Sequence, residues 1–586
     1  MSTPARTSGG ARLVRSALAA TVGVLLAGCV QMPSDGPVVE PEVNAEVEDA
    51  PGISFDPRPP RSGESPTEIV EGFLEAMKAT PIRPPTVARQ FLSRAAADRW
   101  VPEQQVITYA DRGSLTGAST VEIPMTDVNL YDARGAWQRT QGVRDLDLQL
   151  VEEDGEWRID QVPDALIVPD SWFDDWYQRV SLYFFDPTSE VLVPEPVFMP
   201  RGDQLASSLV RGLLTPASGE DQDVSRTYFP VGTAPGLSVP VEDGIADVAL
   251  SGDPDAIDEE TAERMLAQLV WTLRQEPRIG AVQLSVGGRV FDGAGGSGQV
   301  NLGYGSEYDP NGSRPSTDMF AMDQGRVVSG AIGDFTETLG PLGADDYGVR
   351  AISVDVSGSR VAGVSTSGRD LVLAPTEAPD GELVTAISGG VDLAVPAWDN
   401  RDRAWVLDRG AGRARVSVVV DGVASVVRVP GLSGRTVTQL LVSRDGSRLV
   451  AVVRDAKADR VVAARIRHDA AGAVLGFTPL RTLPLPPEGS PRIRDVAWRS
   501  PTSVSVLSDI NEDYSQVRTI SVDGAPGEID TGDTTRSRDR IRSLVSSPVD
   551  ATEVFALAAR TVISLTRPER SVPDLPQGLR SLTYAG

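Results

Sequence analysis

Cysteine and histidine are almost absent from this sequence. Its 586 residues include one cysteine, Cys29, and one histidine, His468. One cysteine cannot form a disulfide within the chain, and a metal site built from cysteine or histidine needs several such ligands. A Ser-His-Asp triad or a histidine general base would have to use His468, which we interpret as a solvated loop residue instead. We therefore expect no catalytic residue, no metal and no cofactor.

Basic residues are fewer than acidic ones. The chain carries 55 Lys and Arg against 82 Asp and Glu, a net charge of −27, and its only lysines are Lys78 and Lys457. Nucleic-acid binding needs a clustered positive field, so we expect no nucleic-acid partner. Anionic lipid headgroups would also repel a body of this net charge. We therefore expect any membrane attachment to come from a lipid and not from a basic patch.

A long hydrophobic run is missing as well. The apolar run from Ala17 to Ala27 follows three arginines, and it is too short to cross a bilayer core of about 30 Å as a helix. This order is typical of a secretory signal peptide. At its end, Leu26-Ala27-Gly28-Cys29 resembles a bacterial lipobox. The resemblance implies cleavage before Cys29, a thioether-linked diacylglycerol on its sulfur and acylation of its amino group, as with palmitate. An accidental cysteine in an ordinary signal peptide is the alternative.

Residues 29–64 are rich in proline and acid, with only scattered apolar residues. Such a segment cannot bury enough apolar surface to offset the entropy of ordering it. Proline stiffness and charge repulsion favour an extended chain, which would reach up to ~100 Å at about 3 Å per residue. We predict a lipoprotein signal peptide over residues 1–28 and a lipidated tether over residues 29–64.

Signals for a first folded domain begin at Ser65. The segment Ser65-Pro66-Thr67-Glu68 supplies an N-cap, a proline in the first turn and a glutamate that completes a capping box. Alternating segments follow and end on an Asp-Gly turn and the strand 156–160. Helices followed by a curved antiparallel sheet resemble the NTF2-like α+β cone, which we assign to residues 65–168. Such cones often enclose a pocket, but we expect Trp157 to pack in the wall.

Residues 169–292 show the order βαββαβ. The predicted strands cover 180–185, 237–239, 245–250 and 282–286, with one helix around 205–213 and another capped by Asp258. This order predicts an α/β domain whose two helices pack on a mixed sheet. The Leu-Tyr-Phe strand, the Leu-rich helix and the Asp-Gly-Ile-Ala hairpin are similar to the GerMN domain. The resemblance implies a binding or scaffolding role without catalytic residues.

A repeat fills the rest of the chain, after a Gly-rich linker or long loop at 293–313. The segment 349–355 leads through a Gly-Ser turn to 360–364, and 437–443 leads in the same way to 448–452. Three weaker copies share the pattern, and the spacing of roughly 43 to 55 residues is that of β-propeller blades. Short strands in a sandwich are the alternative.

The final segment, 579–584, matches an inner propeller strand with nothing after it. Residues 319–323 begin a blade that has no inner strand of its own. If the C-terminal strand fills that place, the ring closes without an exposed edge. We therefore predict an all-β propeller over residues 314–586, with six blades and closure by the C-terminal strand.

Other candidate sites are weak. The acidic segment 509–513 departs from the EF-hand pattern at its sixth and twelfth positions, so we interpret it as an acidic loop. Arg201-Gly202-Asp203 precedes a helix and is interpreted as a turn. The glycines of 293–298 lack the strand, helix and lysine that phosphate binding needs. A hydrolase that uses two carboxylates stays open as an alternative, because no pair is singled out.

The order of lipobox, acidic tether, NTF2-like unit, GerMN-like unit and propeller resembles the LpqB family of actinobacterial lipoproteins. The resemblance covers essentially the whole chain. It implies a lipoprotein of the extracytoplasmic face of the cell membrane, with Cys29 lipidated. It further implies a non-catalytic accessory protein that contacts the extracellular domain of the sensor kinase MtrB and modulates MtrAB two-component signalling, with effects on cell division and cell-wall homeostasis.

Two other functions remain open at this point. One is an envelope enzyme, such as a propeller lactonase or a glycan hydrolase, which a cluster of acids at the mouth of the propeller would favour. The other is a ligand-binding sensor, which a deep apolar cavity with a few inward polar groups would favour.

Overall fold

The structure is a computed structural model. It describes residues 57–79, 85–139, 145–216, 223–293, 298–485, 492–511, 514–526, 535–537, 540–549, 552–558, 561–567, 570 and 572–586. The predicted signal peptide, the lipobox residues Leu26, Ala27, Gly28 and Cys29, and the tether as far as residue 56 lie outside these ranges, and their assignments stay predictions.

The N-terminal domain combines two helices with two sheets. Its helices are α1 (Pro66–Met77) and α2 (Arg94–Arg99), and its strands are β1 (Gln105–Tyr109), β2 (Asp111–Arg112), β3 (Thr116–Gly117), β4 (Thr120–Thr126), β5 (Asn129–Asp132), β6 (Trp137–Gln138), β7 (Asp145–Glu153), β8 (Glu156–Gln161) and β9 (Leu166–Pro169). The predicted capping box is present: the Glu68 amide bonds to the Ser65 side chain and the Ser65 amide to Glu68. It fixes the start of α1, whose apolar face is buried against the sheets.

The strand pairing of this domain differs in part from the prediction. One sheet has the order β6-β5-β1-β9, and the other has the order β2-β4-β7-β8 with β3 paired to β4. Strand β9 runs parallel to β1, so the first sheet is mixed and not purely antiparallel. The resemblance to an NTF2-like cone therefore stays a prediction. Trp157 packs at the edge of the buried core, as expected of a wall residue.

The second domain follows directly. It contains the helices α3 (Asp170–Trp176), α4 (Leu205–Leu214) and α5 (Glu259–Leu273), and the strands β10 (Tyr177–Phe185), β11 (Leu192–Pro200), β12 (Val241–Glu242), β13 (Ile245–Leu250), β14 (Ala281–Val286), β15 (Arg289–Phe291) and β16 (Val300–Asn301). Strands β12-β13-β14-β15 form a mixed sheet in which β13 and β14 are parallel and β16 pairs with β14. Helices α4 and α5 share one buried core with this sheet.

Two details of the predicted βαββαβ order are corrected. Strand β11 was missed because Pro194, Pro196 and Pro200 disfavour a central strand. Among the described residues it pairs with β10 alone, in a sheet of two strands where a proline can be accommodated. The predicted strand at 237–239 is wrong, since the hairpin uses β12 instead and Leu237 is fully exposed.

The Gly-rich segment before the propeller is packed against the second domain where it is described. The Trp271 indole donates to the Gly305 carbonyl at 2.9 Å, and the Tyr308 hydroxyl donates to Glu263 at 2.7 Å. Val300 is buried in the core of the second domain. Residues 300–308 therefore extend this domain.

The C-terminal part consists of consecutive antiparallel sheets, as a propeller requires. Sheet 1 contains β17 (Met319–Asp323), β18 (Arg326–Ala331) and β19 (Asp334–Glu337), and the short helix α6 (Pro341–Ala344) follows it. The next sheets are sheet 2 with β20 (Val349–Val354), β21 (Arg360–Ser365), β22 (Leu371–Pro375) and β23 (Val384–Ile387); sheet 3 with β24 (Ala397–Trp398), β25 (Ala404–Asp408), β26 (Arg415–Val420) and β27 (Val423–Val427); and sheet 4 with β28 (Val437–Val442), β29 (Arg448–Arg454), β30 (Asp459–His468), β31 (Val474–Phe477) and β32 (Arg481–Thr482). Sheet 5 contains β33 (Ile493–Ser500), β34 (Ser503–Asp509), β35 (Ser515–Ser521) and β36 (Thr535–Ser537), and sheet 6 contains β37 (Ser543–Val545), β38 (Phe555–Leu557) and β39 (Val562–Ser564).

The last strand, β40 (Arg580–Tyr584), pairs antiparallel with β17 in sheet 1, as predicted. The two ends of the propeller chain therefore meet in one sheet. Leu582, Tyr584 and Ala585 are buried there. In each sheet the first strand, which for sheet 1 is β40, is the inner strand, and these inner strands place the candidate site.

Candidate recognition site at the propeller cavity

A cavity of about 490 Å³ lies at the centre of the propeller. Residues from all of the inner strands line it, and its polar lining includes Arg350, Ser353, Arg409, Thr438, Gln439, Asp495, Ser543, Ser546, Ser581 and Thr583. Asp495 is the only acid in this lining. The cluster of acids that would favour an envelope hydrolase is thus not found among the described lining residues.

One end of the cavity is closed by the chain that follows the inner strands. The Gly586 amide donates to the Val354 carbonyl at 2.8 Å, and Val354 ends β20. Arg444, in the turn after β28, donates to the Ala585 carbonyl and, at 3.0 Å, to Ser547 after β37. Because four inner strands end on these bonds, we call this the closed end and the opposite one the open end.

Arg444 is a buried cation with few partners. Its side chain is 3% exposed, and its Nε and Nη1 have no hydrogen-bond partner in the described part of the chain. Burial lowers the pKa of Arg444 to about 10, and the nearby Asp309 only partly opposes this shift. The corresponding position in the repeat of sheet 2 is the buried Val356. A comparison of the repeats could therefore have singled out Arg444 as an arginine at a core position.

Near the open end, Asp495 accepts three hydrogen bonds. The Leu544 amide donates to it at 2.7 Å, the Val496 amide at 3.0 Å and the Gln439 side chain at 3.0 Å. Burial nevertheless raises the pKa of Asp495 to about 6. The Gln439 Oε1 and Thr438 Oγ1 atoms have no partner among the described residues. The cavity therefore presents free acceptors and no second carboxylate that could act as an acid–base partner.

The rim of the open end carries a fixed charge cluster. Asp392 accepts from Arg350 at 3.0 Å and from Arg409 at 3.0 Å. Burial would raise the pKa of Asp392, but hydrogen bonds and charge from the two guanidinium groups lower it below its ordinary value. These groups hold the loops of sheets 2 and 3 together beside the cavity.

The second domain docks on the closed end through a buried charge cluster. Glu195 of β11 contacts Arg448 at 3.0 Å and Arg465 at 2.7 Å, and all three side chains are at most 15% exposed. Arg448 also donates to the Pro194 carbonyl at 2.6 Å. Burial would raise the pKa of Glu195, but Arg465 and Arg448 lower it below its ordinary value. Sequence reasoning missed this site because its partners are more than 250 residues apart.

Two further contacts surround the Glu195 cluster. Arg401, in the turn after β24, contacts Asp186 at 3.1 Å and also donates to Thr188. Arg179 of β10 donates to Ser521 at 2.7 Å and lies 3.6 Å from Asp523. At Glu195, Arg401 and Arg179, a charged side chain of one domain contacts a side chain of opposite charge in the other domain. Electrostatic complementarity therefore contributes to the docking.

His468 is not a solvated loop residue, which corrects the prediction. It is the last residue of β30, it is 7% exposed, and its Nε2 lies 3.2 Å from Arg403 Nη2. A guanidinium only donates, so Nε2 accepts and the imidazole is neutral. Burial and the positive charge of Arg403 lower the pKa of His468 to about 4. The imidazole therefore accepts a hydrogen bond from Arg403 in the packed interior of the propeller.

A second cleft, of about 330 Å³, separates the N-terminal domain from the second domain. Stacked rings line it: Tyr131 and Phe173 have centroids 4.4 Å apart, and Phe173 and Tyr177 4.5 Å apart. Phe198 of β11 closes one side, and its amide bonds to the Gly135 carbonyl at 2.8 Å. This cleft is where the structure provides the apolar cavity that a ligand sensor would need.

The remaining sequence candidates stay without chemistry. Asp509 bonds to Arg494 at 2.7 Å, and residues 512–513 lie outside the described ranges. Asp203 contacts Arg278, and Gly202 has the positive φ of a turn. In the portion of the chain that the structure covers, no group of three or more His, Cys, Asp or Glu could hold a metal ion, and no helix is long and apolar enough to cross a membrane.

Three family profiles match the chain. "Lipoprotein LpqB, N-terminal domain" matches residues 59–174, "Sporulation and spore germination" matches 181–292, and "Lipoprotein LpqB beta-propeller domain" matches 325–567. A "Lipoprotein LpqB" of Thermobifida fusca is 27% identical and aligns over 90% of this chain and 92% of its own length. The chain belongs to the LpqB lipoprotein family. Another LpqB member, from Streptomyces coelicolor, is 27% identical over 89% of this chain and 91% of its own length.

Solved structures resemble this chain only distantly. The β-propeller domain of Cps50 (Swd1) from Myceliophteria thermophila is 12% identical, with a TM-score of 0.28 over 42% of this chain and 77% of that domain. A chain of the nidogen/laminin complex is 12% identical, with a TM-score of 0.33 over 46% of this chain and 99% of its own.

Proposed function

We propose that this LpqB-family protein is a membrane-anchored lipoprotein of the extracytoplasmic face that acts by recognition and not by catalysis. Its proposed partner is the extracellular domain of the sensor kinase MtrB, and its proposed effect is to modulate MtrAB signalling and, through it, cell division and cell-wall homeostasis. The lipid on Cys29 would restrict the protein to the membrane plane, where effective concentration replaces part of the intrinsic affinity.

The observation that carries this proposal is the docking of the second domain on the closed end of the propeller. Glu195, Arg448 and Arg465 are buried in that contact, which leaves the open end of the cavity uncovered by the second domain. A recognition protein needs such a fixed free surface. A hydrolase would need an acid–base pair, and the cavity offers Asp495 as its single lining acid.

The test uses the full-length lipoprotein in its native membrane. Chemical crosslinking followed by mass spectrometry should capture MtrB with the wild-type protein, and Cys29→Ala should reduce the yield at least tenfold. Replacing the lipobox by a transmembrane anchor should restore capture in the Cys29→Ala protein. Mass spectrometry of the mature polypeptide should find residue 29 acylated.

Kinase phosphorylation provides the second readout. A released, unlipidated protein at the same cellular level should fail to restore signalling in a strain without the lipoprotein. Normal signalling from this released form would contradict the role of the anchor. Turnover of cell-wall fragments by the purified lipoprotein would contradict the non-catalytic assignment.

A further inference from the structure

The negative charge of this protein is distributed very unevenly. Residues 65–292 contain 18 basic and 38 acidic residues, whereas residues 314–586 contain 32 and 34. The two N-terminal domains are therefore strongly acidic and the propeller is close to neutral. The net charge of the chain, which argued against any basic surface, does not describe the propeller.

Within the propeller, exposed arginines gather in one sector of the open end. Arg369 lies in the turn between β21 and β22, Arg413 lies just before β26, Arg415 is its first residue, and Arg435 lies just before β28. All four are exposed, and none has a side-chain ion pair or hydrogen bond within the ranges that the structure describes. We call these four residues the arginine patch.

The acids of the same sector are already engaged. Asp392 binds Arg350 and Arg409, and Asp408 accepts from the amides of 391, 392 and 410. Asp370 accepts from Ser365 and from the Gly389 amide, both at 3.3 Å. These three carboxylates bond to other groups and, among the described residues, form no ion pair with the arginine patch, so the patch keeps its positive charge.

The loops that carry the patch are bonded to one another. The Gly390 amide donates to the Arg369 carbonyl at 2.8 Å, the Arg409 amide to the Asp392 carbonyl at 3.0 Å, and the Ala414 amide to the Arg435 carbonyl at 2.8 Å. The four arginines therefore lie on one connected surface. Val391 and Val395 lie on this surface, in the connection between β23 and β24, and are 60% and 40% exposed. Val395 also lines the cavity.

Exposed apolar residues next to cations without ion pairs are typical of a docking surface. The apolar contacts supply affinity, and the cations select an acidic partner. We propose that the arginine patch, with Val391 and Val395, is the surface on which the propeller binds an acidic segment of a partner protein. This inference names the surface used in the proposed function and rests on it for the partner's identity. The second domain binds the other end of the propeller through Arg401, Arg448 and Arg465, so arginine-to-carboxylate docking already occurs within this chain.

The test compares two charge-reversal variants of the full-length lipoprotein in native membranes. Arg413→Glu with Arg435→Glu reverses the patch. Arg542→Glu with Arg580→Glu is the matched control, because both residues are exposed and without a side-chain partner in the described chain, and they lie at the open end on sheets 6 and 1. Each variant carries a photocrosslinking residue in place of Val391. We expect the patch variant to lose about tenfold or more of the partner yield and the control to stay within about twofold, with an acidic crosslinked peptide in the partner.

Other outcomes separate this inference from the proposed function. Capture of MtrB by a photocrosslinker at the exposed Val231 of the second domain, but not at residue 391, would overturn the patch and leave the proposed partner in place. Capture of a different acidic protein at residue 391, sensitive only to patch reversal, would support the patch and overturn MtrB as the partner.

Equal losses in the two variants would show a general charge effect and overturn the patch as a specific surface. Binding of the purified protein to vesicles that contain anionic phospholipid, abolished by patch reversal and without protein capture at residue 391, would identify a lipid surface and also overturn the inference. Circular dichroism of both variants checks that the exposed substitutions leave the fold intact.

Discussion

At the scale of single residues, the buried polar groups are what the sequence interpretation misjudged. His468 sits in a polar Arg-His-Asp segment, yet it is buried beside Arg403, which Asp399 holds at 2.7 Å. The Trp405 indole donates to the same carboxylate at 2.8 Å. Local polarity predicts exposure, but the turn before β25 in the neighbouring sheet supplies a charged partner, Arg403, that no local pattern reveals.

His468 should make the stability of the protein depend on pH in the acid range. Its pKa of about 4 in the folded state lies below the ordinary value of 6.5, so its contribution to the free energy of unfolding is complete above pH 6.5 and is lost as the pH falls through 4. The loss should be about 3 to 4 kcal/mol, from 1.4 kcal/mol per pKa unit. His468→Gln, whose amide can still accept from Arg403, should remove this component in urea unfolding at a series of pH values.

Above pH 6.5, for example at pH 8, the difference in the free energy of unfolding between the wild-type protein and His468→Gln should not change with pH. An unchanged pH slope between 6.5 and 4 in His468→Gln would contradict the buried, neutral imidazole.

Glu195 should be the residue on which domain docking depends most. Glu195→Gln removes the buried carboxylate that Arg448 and Arg465 both contact, which costs about 3 to 5 kcal/mol for a broken buried pair. We expect the second domain and the propeller to separate at lower denaturant, so that a single unfolding transition splits into two. Differential scanning calorimetry measures this directly.

Glu190→Gln is the matched control for Glu195. Glu190 belongs to the same docking face and contacts Arg401 at 2.9 Å, but its side chain is 70% exposed, so its loss should cost under about 1 kcal/mol. Equal effects of the two substitutions would show that burial of the Glu195 cluster is not what fixes the domains.

At the scale of secondary-structure elements, strand periodicity in the propeller was reliable. The predicted strands at 349–355, 360–364, 437–443 and 448–452 correspond to β20, β21, β28 and β29, because each alternates or runs apolar between Gly-containing turns. Strand β11 was missed because its prolines are typical of a turn or loop and are tolerated only in an edge strand. Segment 237–239 was taken as a strand because it alternates, although no neighbouring strand pairs with it in the described chain.

Strand β40 should carry the closure of the ring. Leu582→Ala should lower the free energy of unfolding by about 2 to 4 kcal/mol, because Leu582 is 8% exposed and packs between sheets 6 and 1. Arg580→Ala, on the same strand but exposed, should change it by less than about 0.5 kcal/mol. Chemical denaturation of both variants checks the expectation, and equal stabilities would contradict closure by this strand.

At the scale of the whole molecule, net charge was the least informative quantity. A value of −27 predicts repulsion from anionic surfaces, yet the propeller is nearly balanced and its arginine patch is free of ion pairs in the described chain. Averaging over the chain conceals this segregation, because electrostatic recognition depends on charges within about a Debye length of 8 to 10 Å.

The sequence by itself determined the chain order, the repeated strands of the propeller, the return of its last strand to the first sheet and the family to which the protein belongs. These features depend on local periodicity and on matches along the chain, which a sequence carries directly. Only the tertiary structure decided that Glu195 meets Arg448 and Arg465, that His468 is buried, and that the arginines of three loops share one surface. Each of these depends on residues far apart in the chain, and folding alone brings them within a few ångströms of one another.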